Sequence, residues 1–253
     1  MSIGNAVSSQ AATLSTSISG AFWPAIANAA GAGDFEKVKR LSFMTCRLGS
    51  ALILVFVIPL SLEIKIVLDL WLKAPPPFSA QLCVAILLAY AVERSTEGYW
   101  MAIFAKGARV AYYSAIVGWS GLIGFCIALG CLLLGLGRWS ICIGYLSSKI
   151  LTVVLRLWLG RTLMALSISS WLEKVAFPLL KITCLCYCVG LLPYCLIERG
   201  LFRLFVVFSL IGISFLLLFW CLVLEDFEKK FVAKKIIHIL TQKGGNNGFG
   251  EKG

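Results

Sequence analysis

Six runs of mostly apolar residues, each long enough to cross a lipid bilayer, constrain this chain more than any other feature. A spanning α-helix needs about 20 predominantly apolar residues. A seventh run, at about 3–30, is rich in alanine, serine and threonine and carries no charge. The sequence therefore predicts an all-α, polytopic membrane protein with about seven transmembrane helices. The six clear runs lie at about 43–62, 79–104, 111–134, 140–160, 175–195 and 201–223.

The composition agrees with a membrane setting. Hydrophobic residues make up 60% of the chain and charged residues 14%, whereas soluble domains are about 25% charged. The net charge of +11 is carried mostly by lysines and arginines between the apolar runs, where such residues set membrane topology. We therefore expect membrane lipids to be partners of this protein and expect no nucleic-acid partner.

No pattern in the sequence predicts an enzyme, a cofactor or a metal site. Most of the ten cysteines lie inside apolar runs, where cysteine behaves as a small hydrophobic residue. The run CLCYC at 184–188 has no second cluster and no nearby histidine. We also find no phosphate-binding glycine loop and no nucleophile beside a histidine. We expect no catalytic residue, no cofactor and no metal; a membrane enzyme that uses Glu93 or Glu97 is the alternative.

The basic residues predict the orientation in the membrane. Basic loops accumulate on the cytoplasmic side. Most lysines and arginines outside the apolar runs lie in the connections 31–42, 105–110 and 161–174 and in the tail 225–253. We therefore expect these segments to be cytoplasmic, with the N-terminus outside and the C-terminus in the cytoplasm. Seven spans agree with this orientation, because an odd number of spans places the two termini on opposite sides of the membrane.

The membrane boundaries have their own signals. The connection 63–78 has apolar residues at helical spacing and ends in three prolines, which predicts an amphipathic helix lying on the outer surface. Tryptophan is enriched at both interfaces of a membrane. We therefore expect Trp71 and Trp139 at the outer interface and Trp171 at the inner one.

Small residues predict close packing and turns. In the first run a small residue recurs at every fourth position from Ser9 to Ala29, a pattern that lets helices approach closely or that lines a polar cavity. Gly31 and Gly33 are expected to release the chain from the first helix, and Asp34 is expected to cap the next one. The fourth span is expected to pack closely through a glycine series: Gly118, Gly121 and Gly124.

Charged residues inside the predicted spans are the strongest functional signal. A central charge costs about 2.5–3.5 kcal/mol on insertion scales. Glu93 and Glu97 lie one helical turn apart, so they could share a proton or bind a cation. The alternative is ion pairing with Arg94 or with a neighbouring helix. Five other basic residues either snorkel to headgroups or line a polar cavity that attracts an anion: Arg47, Lys149, Arg156, Lys181 and Arg203.

Three motifs occur in an order that resembles a known family. They are GNAVSSQAATLSTSISGAFWPAIANAAGAGDFEKVKR at 4–40, PLSLEIKIVLDLWLKAPPPF at 59–78 and ERSTEGYWMAIFAKGARVAYYSAIVG at 93–118. Together they resemble the eighth helix and the following segments of bacterial polysaccharide flippases. These proteins belong to the multidrug, oligosaccharidyl-lipid and polysaccharide exporter superfamily. The resemblance covers about residues 3–225.

The resemblance implies a protein that flips lipid-linked oligosaccharide across the bacterial inner membrane, for O-antigen, lipopolysaccharide-type or capsule polymers. Lipid-linked oligosaccharide would be the substrate, and the protein would not be an enzyme. On this reading Glu93 and Glu97 are candidates for ion coupling. The candidates for contacts with anionic groups of the substrate are Arg47, Arg94, Lys149, Arg156 and Lys181.

The resemblance also predicts the domain organisation. Residues 1–160 would be part of the second transporter bundle of a MATE-like fold, with five spans. Residues 161–224 would be two additional transmembrane helices, and 225–253 a basic cytoplasmic tail with a disordered end. Family members have two six-helix bundles, so the chain is expected to be an incomplete half. Its partners would be a missing N-terminal half or polysaccharide assembly proteins.

Two alternatives stay open at this point. The carboxylate pair is compatible with a fragment of a cation-coupled multidrug-type exporter from the same superfamily. The missing first bundle is compatible with a membrane scaffold for polysaccharide assembly that transports nothing itself. Neither alternative changes the predicted fold class.

Overall fold

Helices account for nearly all of the described residues, and no strand occurs among them. The computed structural model of the protein describes residues 20–72, 76–107 and 110–223. Most of the predicted first span and the predicted tail lie outside these residues. A π-helical turn (the π-turn, Leu172–Ala176) joins α7 to α8 without a break. The helices are α1 (20–31), α2 (Phe35–Leu72), α3 (Ser79–Arg94), α4 (Glu97–Ala105), α5 (Val110–Leu133), α6 (Trp139–Met164), α7 (Ile168–Trp171), α8 (Phe177–Leu196) and α9 (Leu201–Leu222).

Five helical segments in the described part of the chain are long and apolar enough to cross a membrane. The protein is therefore an all-α, polytopic membrane protein, as predicted. The five segments overlap the predicted spans at 43–62, 111–134, 140–160, 175–195 and 201–223. Their observed bounds are Phe35–Leu72, Val110–Leu133, Trp139–Met164, Ile168–Leu196 and Leu201–Leu222.

The predicted span at 79–104 is interrupted, and the prediction of one continuous helix there is wrong. α3 has 16 residues and α4 has 9, so neither reaches the roughly 20 residues that a span needs. The turn between them is Ser95–Thr96. Ser95 Oγ donates to the Val92 carbonyl at 2.7 Å, and Thr96 Oγ1 donates to the Glu93 carbonyl at 3.0 Å. Such hydroxyl-to-backbone bonds compete with regular helix formation.

The predicted helix at 63–78 corresponds to the last part of α2, which a kink at Glu63 divides from the preceding span; its place on the outer surface stays a prediction. α2 is 38 residues long and bends at Glu63, whose φ of −104° and ψ of 15° are not helical. Glu63 is only 1% exposed. Arg203 of α9 neutralises it, with Nε 2.8 Å from Oε1 and Nη2 donating to Oε2 at 2.9 Å. Asp69 pairs with Arg199 nearby, so two ion pairs fix the end of α2 to the start of α9.

α2 is the central helix, packing against α3, α4, α8 and α9. α4 approaches it closely at Gly98. A Cβ built on Gly98 would lie 2.6 Å from the carbonyl carbon and 2.8 Å from Cα of Ser42. The Gly98 amide donates to Cys46 Sγ at 3.3 Å. Only a residue without a side chain allows the two backbones to approach this closely.

α5 and α6 pack as a pair, again through glycine. A Cβ on Gly124 would lie 2.8 Å from the Gly144 carbonyl oxygen. Gly118 and Gly121 have no neighbouring atom within 4 Å of such a Cβ. The predicted glycine series therefore acts at Gly124 alone, and the prediction is wrong for the other two. The reason is that residues three apart drift around a helix, whereas the side of α5 that meets α6 follows a spacing of four, through Ser120, which bonds Thr152 at 2.8 Å, and Gly124.

The turn between α1 and α2 follows the sequence prediction. Gly33 has a φ of 73°, which glycine adopts without strain. Asp34 Oδ1 accepts a hydrogen bond from the Lys37 amide at 3.0 Å, so it caps the start of α2. The predicted helix end at Gly33 and the predicted cap at Asp34 are confirmed, whereas Gly31 is still the last helical residue of α1.

Candidate functional site

Five charged side chains gather at the turn between α3 and α4, and we call them the charge cluster: Glu93, Arg94, Glu97, Lys149 and Arg156. Lys149 Nζ lies 2.7 Å from Glu93 Oε2, and Arg156 Nη2 lies 3.1 Å from Glu93 Oε1. Arg94 Nη1 lies 2.8 Å from Glu97 Oε1. All five were predicted as in-span charges, and the structure brings them together.

Two elements position the charge cluster. Lys149 and Arg156 are seven residues apart on α6, which places them on one face two turns apart. Glu93 lies in the last turn of α3, where its carbonyl accepts from the Thr96 amide, three residues on, at 3.2 Å. That carbonyl accepts from Thr96 Oγ1 at 3.0 Å and from Arg156 Nη1 at 3.4 Å. The interruption is therefore stabilised by the same arginine that neutralises the Glu93 carboxylate.

The segment between α6 and α8 holds the interruption from the other side. Trp171 Nε1 donates to the Ser95 carbonyl at 2.7 Å, and the Tyr99 hydroxyl donates to the Ser167 carbonyl at 3.0 Å. Trp171 is 9% exposed, so its ring packs inside the fold, and its place at the inner interface stays a prediction. A free backbone carbonyl inside the fold needs a donor, and Trp171 supplies it. Trp71 and Trp139 are exposed, as a belt requires.

The charge cluster is shielded and has a net positive charge. Its side chains are between 6% and 23% exposed, and three of the five are basic. Each carboxylate has at least one basic partner. These pairs correspond to the ion-pairing alternative for Glu93 and Glu97. The helix interruption also separates the two carboxylates. Their role in ion coupling stays a prediction.

A cavity of about 810 Å³ lies between α5 and α6 and reaches the charge cluster. Lys149 contributes to both, and its Nζ lies 5.7 Å from the ring centroids of Tyr90 and Tyr145. Arg138 is the other charged residue in the wall. We call this cavity the α5–α6 groove. Its apolar wall includes Phe125, Ala128, Leu129, Leu132 and Ile141.

The remaining predicted site residues lie elsewhere. Arg47 is in a separate pocket at the start of α2, and Lys181 is exposed on α8. Arg203 pairs with Glu63 and does not snorkel. Sequence reasoning missed Glu63 because it placed this residue in an outer connection. A useful signal was present: a carboxylate one turn after Pro59, inside an apolar run, needs a basic partner.

No protein-family model, curated protein or solved structure matches this chain. The geometry of the charge cluster and the α5–α6 groove, together with the three sequence motifs, is therefore the basis for a functional proposal.

Proposed function

We propose that the protein translocates an anionic, lipid-linked oligosaccharide across the bacterial inner membrane during synthesis of a surface polysaccharide. One observation carries this proposal: Lys149 belongs both to a net-positive charge cluster and to the wall of an apolar groove. A lipid-linked sugar has the matching parts, an anionic phosphate linkage and a long apolar tail. The groove would hold the tail, and the cluster would attract the phosphate.

The interrupted helix supports a transport role. Transporters often place substrate sites at discontinuous transmembrane helices, where backbone groups and charged side chains can face a cavity. Ser95 and Thr96, which form the interruption, lie inside the third motif of the resemblance, ERSTEGYW at 93–100. Because the family has two bundles, we propose that this chain acts together with a second bundle.

The ion pairs favour an anionic substrate over cation-coupled drug export. Glu93 is held by two basic groups and Glu97 by one, which leaves less negative charge for a cation to neutralise. A purely structural scaffold would not need an apolar groove ending at a lysine. If no surface polymer returns in the experiment below, the scaffold alternative is favoured.

The proposal is tested by expressing the gene, with its native upstream region, in a bacterial strain that lacks its polysaccharide flippase. We expect surface polymer to return, and Lys149→Gln to lower it about tenfold, since a charge-assisted bond contributes about 1.5–3 kcal/mol. Arg161→Gln removes the same charge from an exposed position on α6 and is the control, expected within about twofold of wild type. If no polymer returned, or if the two variants were equally active, the proposal would be refuted.

We also propose that the N-terminus is outside and the C-terminus is cytoplasmic. Cys195, exposed near the end of α8, would then face the periplasm. A membrane-impermeant thiol reagent should label it in spheroplasts, and Cys195→Ser should remove that label. In the Cys195→Ser background, Glu36→Cys should react only after permeabilisation, because it lies at the opposite end. Cys46 is unsuitable as a probe, since it is buried. The reverse labelling pattern would invert the topology.

A further inference from the structure

A further cavity lies at the first turns of α3 and α6, and we call it the α3–α6 pocket. Its volume is about 460 Å³, within the usual range for small-ligand sites of roughly 300–1,000 Å³. Two segments that are distant in the chain build it together. Two residues come from the start of α3 and four from the start of α6: Phe78, Gln81, Leu136, Gly137, Arg138 and Trp139.

Two aromatic rings shape the α3–α6 pocket. The rings of Phe78 and Trp139 meet edge to face, with centroids 5.0 Å apart and an interplanar angle of 85°. The guanidinium carbon of Arg138 lies 5.9 Å from the centroid of the Phe78 ring, which is a cation–π contact. Trp139 is 54% exposed, so much of its ring is open to a ligand. A ligand with a flat apolar face can pack against that ring.

The backbone of Phe78 is strained. Its φ is 73°, in the left-handed region that a bulky residue rarely adopts. Such conformations cost free energy and cluster at ligand-binding sites. The strained residue is also the one whose ring meets both Trp139 and Arg138. The strain therefore lies in the wall of the pocket.

Among the lining residues only Arg138 is charged, and it has no acidic partner. Its side chain is exposed, and no ion pair in the described part of the chain includes it. Gln81, also exposed, adds an amide that both donates and accepts hydrogen bonds. Arginine presents its donors in a fork that matches the two oxygens of one carboxylate. The complementary ligand therefore combines a flat apolar face, hydrogen-bonding groups and a single carboxylate.

The α3–α6 pocket continues the α5–α6 groove, since Gly137 and Arg138 line both cavities. Lys149, which belongs to the groove and to the charge cluster, comes eleven residues after Arg138, or about 16 Å further along the helix. On the proposed orientation the start of α6 faces the periplasm. A lipid-linked sugar that has crossed the membrane, with its tail still in the groove, would therefore have its glycan in this pocket.

We propose that the α3–α6 pocket binds a hexuronic acid residue of the glycan after translocation, with the sugar ring on Trp139 and the carboxylate at Arg138. One face of a pyranose ring carries mainly C–H groups, which pack on an aromatic ring. Its edge carries hydroxyl groups, which the Gln81 amide can bind. This inference rests on the proposed function. The phosphate linkage is a second source of negative charge, so the experiment separates it from the sugar.

The experiment measures binding of radiolabelled ligands to the full-length protein in nanodiscs of phosphatidylcholine, with empty nanodiscs as the blank. Octyl β-D-glucuronide and octyl β-D-glucoside have the same tail and the same ring, and only the first has a carboxylate. We expect the glucuronide to bind about tenfold more tightly, because its carboxylate adds a charge-assisted hydrogen bond. Equal affinities for the two glycosides would overturn the proposal.

Arg138→Gln locates the carboxylate. We expect it to lower the affinity for octyl glucuronide about tenfold and to leave the affinity for octyl phosphate within about twofold. The control, Arg161→Gln, removes the same charge from an exposed position on α6 outside the pocket and should bind both ligands as wild type does. Equal losses of octyl glucuronide and octyl phosphate in Arg138→Gln would assign this arginine to the phosphate linkage and overturn the sugar assignment.

Trp139→Ala locates the sugar ring. We expect it to weaken the binding of both octyl glycosides about fivefold, since both lose the same aromatic surface. Trp119→Ala is the control, because Trp119 is exposed on α5 and lies outside the pocket. That variant should bind both glycosides within about twofold of wild type. If the two tryptophan variants behaved alike, the sugar ring would not lie on Trp139, and the proposal would fail.

The results distinguish this inference from the proposed function. Return of surface polymer in the flippase-deficient strain, together with equal affinities for the two glycosides, would overturn the sugar site alone. A glucuronide preference that Arg138→Gln abolishes, with no polymer returning, would support the sugar site and refute the proposed transport.

Discussion

Replacing Glu93 by glutamine is expected to lower the free energy of unfolding by about 3–5 kcal/mol. The substitution keeps the shape of the side chain but removes the carboxylate that pairs with Lys149 and Arg156. These two basic side chains are 23% and 12% exposed, so each would be left largely shielded without its counter-charge. Removing one partner of such a pair costs more than the pair itself contributes. Thermal and denaturant unfolding in detergent would measure the loss.

Two further variants make this prediction specific. Glu36→Gln also breaks a pair with a lysine, at 2.9 Å, but its side chain is 85% exposed, and we expect a loss below about 1 kcal/mol. Adding Lys149→Met to the Glu93→Gln variant should recover part of the stability, because one uncompensated charge is removed. Equal losses for the Glu36 and Glu93 variants would show that the charge cluster contributes nothing beyond a surface ion pair.

Gly98→Ala is expected to cost more than about 3 kcal/mol, near or above the upper end of overpacking effects. The added Cβ would lie 2.6 Å from the Ser42 carbonyl carbon. It therefore meets backbone, which cannot rotate away as a side chain could, and α2 and α4 would have to separate. We expect low yields of folded protein in fluorescence-detected size-exclusion chromatography and a reduced midpoint of thermal unfolding.

Gly118→Ala is the matched control for Gly98→Ala. It is the same chemical change inside a long helix, but the new Cβ would have no neighbour within 4 Å. Alanine is preferred over glycine in a helix by roughly 0.5–1 kcal/mol, so stability should stay the same or rise slightly. If both alanine variants lost similar stability, close approach of α2 to α4 would not be the reason.

The spans could be predicted from sequence because the membrane itself imposes their length and polarity. The predicted span at 111–134 corresponds to α5 at Val110–Leu133, and that at 201–223 to α9 at Leu201–Leu222. The interruption after Arg94 could not be read from apolar content. It depends on hydroxyl groups that bond the backbone and on Trp171, which lies 76 residues away from Ser95 in the chain.

The residues of the charge cluster could also be predicted from sequence, because any charge within an apolar run needs a partner. Which acidic side chain pairs with which basic one could not be predicted. Sequence left open whether Glu93 and Glu97 act as a carboxylate pair or form ion pairs, and the partners of Glu93 are Lys149 and Arg156 on another helix. The position of Arg47 outside the charge cluster could not be predicted either, because depth in a span does not reveal which helix face meets which neighbour. That information is in the packing of α2, α4 and α6.

The long sequence separation of the ion pairs has a consequence for how the chain enters the membrane during synthesis. Arg94 and Glu97 can neutralise each other as soon as their turn forms. Glu93 has to wait for partners that are made 56 and 63 residues later, and Glu63 for one made 140 residues later. Until then both carboxylates would face lipid alone, at a cost that favours delay. These ion pairs therefore favour insertion by groups of helices, in which the early helices stay beside the insertion machinery until α6 and α9 emerge.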